Sequence, residues 1–133
     1  MPKVLLVYDK QCPACDFYCN LVQIKESVGE LQLVDAREDS AVMAEITQLG
    51  LDIDQGMVLK LDGQIYYGPE AINMLSLIGS RSGFFNRLNY WLFSSPRMSA
   101  VLYPVFRSLR NLLLKALRVT KINNLELPGN NHF

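Results

Sequence analysis

The sequence predicts an α/β domain of order β-α-β-α-β-β-α with a C-terminal helical extension. Three observations support this prediction. Along residues 1–80, short runs of apolar, strand-forming residues alternate with segments of helical period, and glycines stand at most of the boundaries. Residues 84–119 carry the helical period alone. The chain has 133 residues, half of them apolar, so it can bury its own core as one structural domain.

The first three elements form a strand–helix–strand unit. Residues 3–8 are almost continuously apolar, as in a buried strand, and residues 12–28 have a helical period that ends at Gly29. A second strand at 31–35 follows. Because a helical crossover connects them, we expect the two strands to be parallel. The predicted inward face of the helix consists of Ala14, Phe17, Leu21, Ile24 and Val28.

A second helix comes next in the chain. Asp39 or Ser40 can cap its start, since either side chain can accept a hydrogen bond from a free backbone N–H, and Gly50 stands where it should end. Its period places Val42, Ile46 and Leu49 on the inward face.

A β-hairpin and a third helix complete the core. Strands at 57–61 and 64–67 flank Asp62-Gly63, a pair that favours a two-residue turn because both positions tolerate positive φ. Gly68-Pro69-Glu70 then opens a helix that ends at Gly79, since proline is well tolerated in the first helical turn. Its predicted inward residues are Ala71, Ile72, Leu75 and Ile78.

Residues 81–122 form the predicted helical extension. Its first helix, at about 84–93, is dense in aromatic residues, and its second helix begins at Ser95-Pro96. We expect both helices to pack on the sheet and complete its core, and residues 123–133 to form a loosely ordered tail. The second helix has an apolar face of Val101, Val105, Phe106, Leu109, Leu112, Leu113, Ala116 and Leu117, and a basic face of Arg107, Arg110, Lys115 and Arg118.

The two parts of the chain carry opposite charge although the whole is neutral. Residues 1–80 contain five Lys or Arg and twelve Asp or Glu, whereas 81–133 contain eight Lys or Arg and a single acid, Glu126. We expect the basic extension to lie on the acidic body. The alternative is peripheral contact of residues 84–119 with an anionic membrane surface. Nucleic acid is not an expected partner, because the acidic body would repel phosphate.

The cysteines indicate a cytoplasmic protein. All three lie between residues 12 and 19, whereas a secreted disulfide scaffold would spread an even number along the chain. The apolar N-terminal run stops at Asp9, which is too short for a signal-peptide core. No stretch approaches the ~20 apolar residues of a membrane-spanning helix.

A C-x-x-C pair at the start of the first helix is the candidate catalytic site. Helix N-termini carry partial positive charge and free N–H groups, which stabilise a thiolate and lower its pKa. We assign Cys12, at the exposed end of the helix, as the nucleophile of thiol–disulfide exchange and Cys15 as the resolving thiol. Pro13 stiffens the loop between them. Asp9, at the end of the first strand, either takes the proton that Cys15 loses or hydrogen-bonds the backbone of the turn.

The third cysteine, Cys19, is expected to be a core residue. In a helix its Cβ lies about 5–6 Å from that of Cys15, farther than the ~3.8 Å of a disulfide. The main rival hypothesis is a metal site, since C-x-x-C is half of many zinc sites, but the second half is missing and the only histidine is His132. We therefore predict no metal, and no cofactor beyond a redox-active Cys12–Cys15 disulfide.

Two stretches resemble the signatures of the DCC family of thiol-disulfide oxidoreductases. Tyr8-Asp9-Lys10-Gln11-Cys12-Pro13-Ala14-Cys15 is similar to its D-x-x-C-x-x-C motif. Tyr67-Gly68-Pro69-Glu70-Ala71 is similar to its glycine and alanine at the third helix, and the resemblance covers about 3–119. It implies a thioredoxin-like fold, which agrees with the predicted order of elements, and disulfide reductase activity.

The predicted substrate-binding residues follow from the same resemblance. Thioredoxin-fold proteins usually carry a cis-proline before the third strand, but here Gln55-Gly56-Met57 occupies that place. We expect Gly56, which has no side chain, to let a substrate approach the dithiol closely, and the helix start at Gly68 to face the same side. The full predicted set is Pro13, Gly56, Met57 and Gly68.

The sequence thus favours a thiol-disulfide oxidoreductase of the protein-disulfide reductase type, with a protein or a small molecule as its disulfide or thiol substrate. The alternative is a non-catalytic binding module, attached to a membrane surface or membrane protein through the basic amphipathic C-terminal helices.

Overall fold

The protein is described by a computed structural model that covers residues 3–22, 24, 28–38, 40–79 and 84–129. Its elements are β1 (Lys3–Tyr8), α1 (Pro13–Leu21), β2 (Glu30–Asp35), α2 (Ala41–Gln48), β3 (Val58–Leu61), β4 (Gln64–Tyr67), α3 (Pro69–Ile78), α4 (Phe84–Phe93) and α5 (Pro96–Ala116).

A four-stranded sheet in the order β2-β1-β3-β4 forms the centre of the fold. β1 pairs in parallel with β2 and antiparallel with β3, which pairs antiparallel with β4. The parallel pair is as predicted, and so is the hairpin turn, where Asp62 and Gly63 have φ of 51° and 81°. This mixed α/β architecture is consistent with a thioredoxin-like fold that has a C-terminal helical extension.

The core lies on both faces of the sheet. Successive residues of a strand point to opposite faces, so the paired Leu6 and Leu59 pack with α1 and α3, while the paired Val7 and Val58 pack with α2. All four are fully buried. The predicted inward residues of α3 are buried as well, namely Ala71, Ile72, Leu75 and Ile78.

The predicted inward face is wrong for the residues that lie in α1, although Ile24 and Val28, beyond its end, pack against the core as predicted. Phe17 is 68% exposed, and Ala14 and Leu21 also face solvent. The face that packs on the core consists of Cys15, Tyr18, Cys19 and Val22. Both sets have the i, i+3, i+4 spacing of a helix face, so periodicity alone could not choose between them.

The first helix also ends earlier than predicted. It stops at Leu21, because Val22 has an extended backbone and Ile24 forms an isolated β-bridge with Gly79. Of the remaining predicted helix, residues 23 and 25–27 lie outside the described residues.

The predicted start of α2 is confirmed at Ser40, whose hydroxyl accepts a backbone N–H at 3.2 Å. The alternative cap, Asp39, lies outside the described residues. Val42 and Ile46 are buried as predicted, whereas Leu49 is 57% exposed because the helix has ended before it.

The extension packs on the core, as predicted, but only a few residues of α5 are buried in this contact. Its buried residues are Ser99, Tyr103 and Leu114, and α3 is its main neighbour. Most of the predicted inward face is exposed instead, so that prediction is wrong. We call this surface the exposed apolar face of α5; it consists of Val101, Val105, Phe106, Leu109, Leu112 and Leu117. None of the described helices is both long and apolar enough to cross a membrane.

Polar contacts fix the rotation of α5 about its axis. The Tyr103 hydroxyl accepts the Met57 N–H at 2.8 Å, and Arg110 donates to the Asp54 carbonyl oxygen. Arg107 and Arg110 of the basic face are half-buried and line a cavity beside the sheet, whereas Lys115 and Arg118 are exposed. Since an unpaired buried polar group is costly, these bonds hold Tyr103 and Arg110 toward the body.

The predicted loose tail is wrong for its first two residues, Asn123 and Asn124, which are held on the body. The buried Asp54 carboxylate accepts the N–H groups of Ile122 and Asn123 at 2.9 and 2.7 Å. The Asn124 side chain accepts the Ile53 N–H at 3.1 Å. The last four residues lie outside the described part of the chain.

Candidate active site

The candidate active site lies where β1 runs into α1. The chain turns at Asp9, whose carbonyl oxygen accepts the Cys12 N–H at 3.1 Å. Cys12 is the N-cap residue of α1, and its Sγ accepts the Cys15 N–H at 3.2 Å. Pro13 occupies the first helical turn, where its missing N–H costs little. The structure therefore places a thiol at a helix N-terminus, as the spacing predicts.

The two cysteines of the pair have pKa shifts of opposite sign. The pKa of Cys12 is lowered from 9.0 to about 7, chiefly by the hydrogen bond from the Cys15 thiol. The Cys15 N–H and the charge of Arg110 add to this lowering, whereas burial and Asp9 oppose it. The pKa of Cys15 is raised, first by the hydrogen bond with Cys12 and then by burial. Near neutral pH the pair can therefore hold one thiolate and one thiol.

Cys12 is not at an exposed position, contrary to the prediction. Its side chain is 0% exposed, whereas Cys15 is partly exposed. Arg110 of α5 influences the pKa of both cysteines and donates to the Asp54 carbonyl oxygen in the loop before β3. The helical extension therefore lies close to the buried nucleophile.

Asp9 is held in an ion pair whose partner was not predicted. Its Oδ1 and Oδ2 accept hydrogen bonds from Nε and Nη2 of Arg37 at 2.8 and 2.9 Å, and Oδ1 also accepts the Gln11 N–H at 3.0 Å. This geometry supports the turn role of Asp9, while its role in proton transfer stays a prediction. A signal for Arg37 was available, because it follows β2 closely and the ends of neighbouring parallel strands lie together.

The predicted substrate-binding glycines are covered by the chain itself. A Cβ on Gly56 would lie 3.0 Å from the Gly68 Cα, so the close approach at Gly56 is to the start of α3 and not to a substrate. Tyr103 covers the same region, since its hydroxyl accepts the Met57 N–H and its ring lies beside Gly68. Of the other two predicted substrate-binding residues, Met57 lines the cavity described below and Pro13 is exposed.

A cavity of about 470 Å³ adjoins the dithiol at Cys15. We call it the dithiol cavity. Asp9 lines it from the turn, and Arg107 and Arg110 line it from α5. Most of its other walls are apolar or aromatic, including Ile53, Met57, Ile72, Leu92, Phe93 and Leu113.

Cys19 is buried in the core, as predicted, and burial is the main cause that raises its pKa. It is a free thiol, like Cys12 and Cys15. Within the described ranges, no three Cys, His, Asp or Glu side chains are grouped as the ligands of a metal ion would be.

Comparison with known proteins supports the interpretation of the cysteine pair. A protein-family model described as DCC1-like thiol-disulfide oxidoreductase matches residues 6–116. The match extends from β1 to the end of α5 and includes both cysteines of the C-x-x-C pair. Neither a curated protein nor a solved structure matches the chain significantly.

Proposed function

The chain belongs to the DCC1-like thiol-disulfide oxidoreductase family, and on this premise we propose that it reduces disulfides through a Cys12–Cys15 dithiol. Cys12 is the nucleophile and Cys15 the resolving thiol. The observation that carries this proposal is the hydrogen-bonded pair itself: the pKa of Cys12 is lowered to about 7, while that of Cys15 is raised.

The reaction follows from this pair of shifts. The Cys12 thiolate attacks one sulfur of the substrate disulfide, which forms a mixed disulfide and releases the other sulfur. The charge on Cys12 is then gone, so the main cause of the raised Cys15 pKa is removed. Cys15 loses its proton and attacks the Cys12 sulfur. This closes the protein disulfide, and the substrate has gained two electrons and two protons.

A protein disulfide, the substrate that the sequence favours, sets a further condition. Cys12 is 0% exposed, and the Met57 N–H, which could bind a substrate backbone, is already bonded to Tyr103. We therefore propose that α5 moves away from the loop before β3 when a protein substrate binds.

The test is equilibration with glutathione buffers of graded redox ratio, followed by acid quenching, alkylation and mass measurement. We expect one two-electron transition in the natural protein and in Cys19→Ala, the matched control. Cys12→Ser should show none, and Cys15→Ser should instead trap glutathione on Cys12. A protein that forms no reversible Cys12–Cys15 disulfide at any ratio refutes the proposal.

A second candidate function, binding to an anionic membrane surface, rests on the exposed apolar face of α5. Leu112 is 65% exposed, and Arg97, Lys115 and Arg118 are exposed on the same helix or at its end. Apolar and basic residues arranged in this way favour a helix that lies in the interface of an anionic bilayer.

Vesicle sedimentation tests this second function. The protein should co-sediment with vesicles that contain phosphatidylserine and less with pure phosphatidylcholine. Leu112→Glu should reduce the bound fraction, whereas Leu49→Glu, at a similarly exposed leucine of the body, should not. A protein that stays in the supernatant with both vesicles excludes the function.

A further inference from the structure

We propose that the dithiol cavity binds a small disulfide with an apolar body and one anionic end. This inference rests on the proposed function, since it names a substrate class for the same dithiol. The volume of about 470 Å³ lies within the range of about 300–1,000 Å³ found for small-molecule sites. Cys15 lines the cavity, so a ligand against it lies close to Cys12, whose Sγ accepts the Cys15 N–H at 3.2 Å.

The walls of the cavity select an apolar body. Among the described lining residues, the side chains with a charge or an amide are Asp9, Asn89, Arg107 and Arg110. A polar ligand such as a peptide would bury groups that find few partners there. The cavity also has an apolar entrance, because three of its lining residues are partly exposed, namely Leu88, Phe106 and Leu109.

Arg107 supplies the binding group for an anion. The other three charged or amide groups are already engaged: Asp9 with Arg37, Asn89 with the Tyr18 hydroxyl, and Arg110 with the Asp54 carbonyl oxygen and Asn111. Arg107 is half-buried and makes no hydrogen bond or ion pair within the part of the chain that the structure describes. Its charge influences the pKa of Tyr67, but that hydroxyl already donates to the Asp52 carbonyl oxygen. A carboxylate on the ligand would give Arg107 a charge-assisted partner.

In the proposed reaction the ligand disulfide oxidises the protein dithiol. Its S–S bond breaks and its two sulfurs leave as thiols, while the Cys12–Cys15 dithiol becomes a disulfide. Two electrons and two protons pass from the protein to the ligand. The ligand disulfide is the oxidant, and no other reactant is needed for one turnover.

Lipoate is the probe, because it joins a disulfide ring and an apolar chain to a carboxylate; lipoamide is the neutral control. The reduced full-length chain is mixed with each probe, quenched and alkylated, and the rate of Cys12–Cys15 oxidation is measured. The reverse reaction, with the reduced probes and the oxidised protein, shows exchange whichever direction equilibrium favours. We expect lipoate to react about tenfold faster than lipoamide, or more, as one charge-assisted hydrogen bond would give.

Variants of α5 test whether Arg107 causes the faster reaction of lipoate. Arg107→Gln should reduce the rate with lipoate to about that with lipoamide, and should lower the lipoate rate much more than the lipoamide rate. Arg97→Gln, at an exposed arginine of the same helix, should change neither rate. Octanoate, which has the chain and the carboxylate without a disulfide, should inhibit the lipoate reaction in the natural protein and not in Arg107→Gln.

Two outcomes separate this inference from the proposed function. Equal rates for lipoate and lipoamide, or an unchanged lipoate rate in Arg107→Gln, overturn the inference and leave the function standing. The absence of exchange with lipoate, lipoamide and oxidised glutathione alike overturns the function itself, and the inference with it.

Discussion

Replacing Cys15 with alanine should raise the pKa of Cys12 from about 7 toward its ordinary value of 9.0. The substitution removes the Cys15 thiol, whose hydrogen bond is the largest cause of the lowered pKa. Of the remaining causes, the Cys15 N–H and Arg110 lower the pKa, whereas burial and Asp9 raise it, so we expect a value close to 9.0. The full difference would reduce the thiolate fraction of Cys12 at neutral pH from about one half to about one hundredth, roughly fifty-fold.

The ultraviolet absorbance of the thiolate, followed against pH, measures this change. Cys12→Ser provides the baseline, because burial still raises the pKa of Cys15 when the hydrogen bond to Cys12 is lost, and burial raises that of Cys19, so both thiols stay protonated near neutral pH. Cys19→Ala is the matched control, since it makes the same change one turn further along α1, and its midpoint should stay near that of the natural protein. A midpoint that stays at about 7 in Cys15→Ala refutes the assignment of the thiol–thiol hydrogen bond.

The lowered pKa of Cys12 in the natural protein makes the stability of the reduced protein depend on pH. Because the folded-state pKa of Cys12 lies below its unfolded value, ionisation of Cys12 stabilises the folded state. This contribution is complete above 9.0 and is lost as the pH falls through about 7. The raised pKa of Cys15 acts in the opposite sense, but only as the pH rises past the ordinary thiol range. Urea unfolding of the reduced protein and of Cys12→Ser across this window should show the difference.

Three further substitutions test the contacts around the site. Arg37→Ala leaves the Asp9 carboxylate, which is 4% exposed, without its partner, so the free energy of unfolding in urea should fall by about 3 kcal/mol. Tyr103→Phe leaves the Met57 N–H without an acceptor, so the free energy of unfolding in urea should fall by about 1–3 kcal/mol. In this variant iodoacetamide should also modify Cys12 faster at high pH. Gly68→Ala should cost about 2 kcal/mol or more in thermal unfolding, because φ of 60° with ψ of −124° strains any residue that has a Cβ.

Each of these substitutions has a matched control. Arg37→Lys keeps a cation beside Asp9 and should restore part of the lost stability. Tyr66→Phe removes a hydroxyl whose bond is exposed, and should change the unfolding free energy little. Gly50→Ala is the control at a second positive φ, 75°, where the added Cβ has no atom within 4 Å, and it should cost less than the change at Gly68. Equal losses of stability at the two glycines would contradict the assigned backbone strain at Gly68. Equal losses at the two tyrosines would contradict the assigned hydrogen bond of Tyr103.

The sheet and the position of the dithiol could be predicted because their signals are local. Asp62-Gly63 specifies a hairpin turn by its own backbone preferences, and Gly68-Pro69 marks a helix start in the same way. Between such signals, the remaining residues can form few other arrangements of strands and helices. The Cys12 N-cap geometry likewise depends only on a strand, a turn and a helix that adjoin in the sequence.

The faces of α1 and α5 could not be predicted, because a helical period leaves the rotation of the helix open. In α1, Phe17 and Tyr18 belong to adjacent faces of similar spacing, and the core takes the face of Tyr18. Contacts distant in sequence decide such choices. The partners Arg37 and Asp9 lie 28 positions apart, and only the parallel pairing of β1 with β2 indicates that they meet.

The rotation of α5 connects the reactivity of Cys12 with the surface of the extension. The same face of α5 supplies Tyr103, whose hydroxyl accepts the Met57 N–H, and Arg110, which lowers the pKa of Cys12. Loosening α5 by Tyr103→Phe should therefore have two opposing effects: Cys12 becomes more exposed, yet it loses part of the charge that stabilises its thiolate. Near neutral pH these effects offset each other. At a pH well above 9.0 Cys12 is ionised in both proteins, so only exposure differs and the variant must react faster. If the two proteins react equally there, α5 does not limit access to the nucleophile, and a protein disulfide could reach Cys12 without displacing the extension.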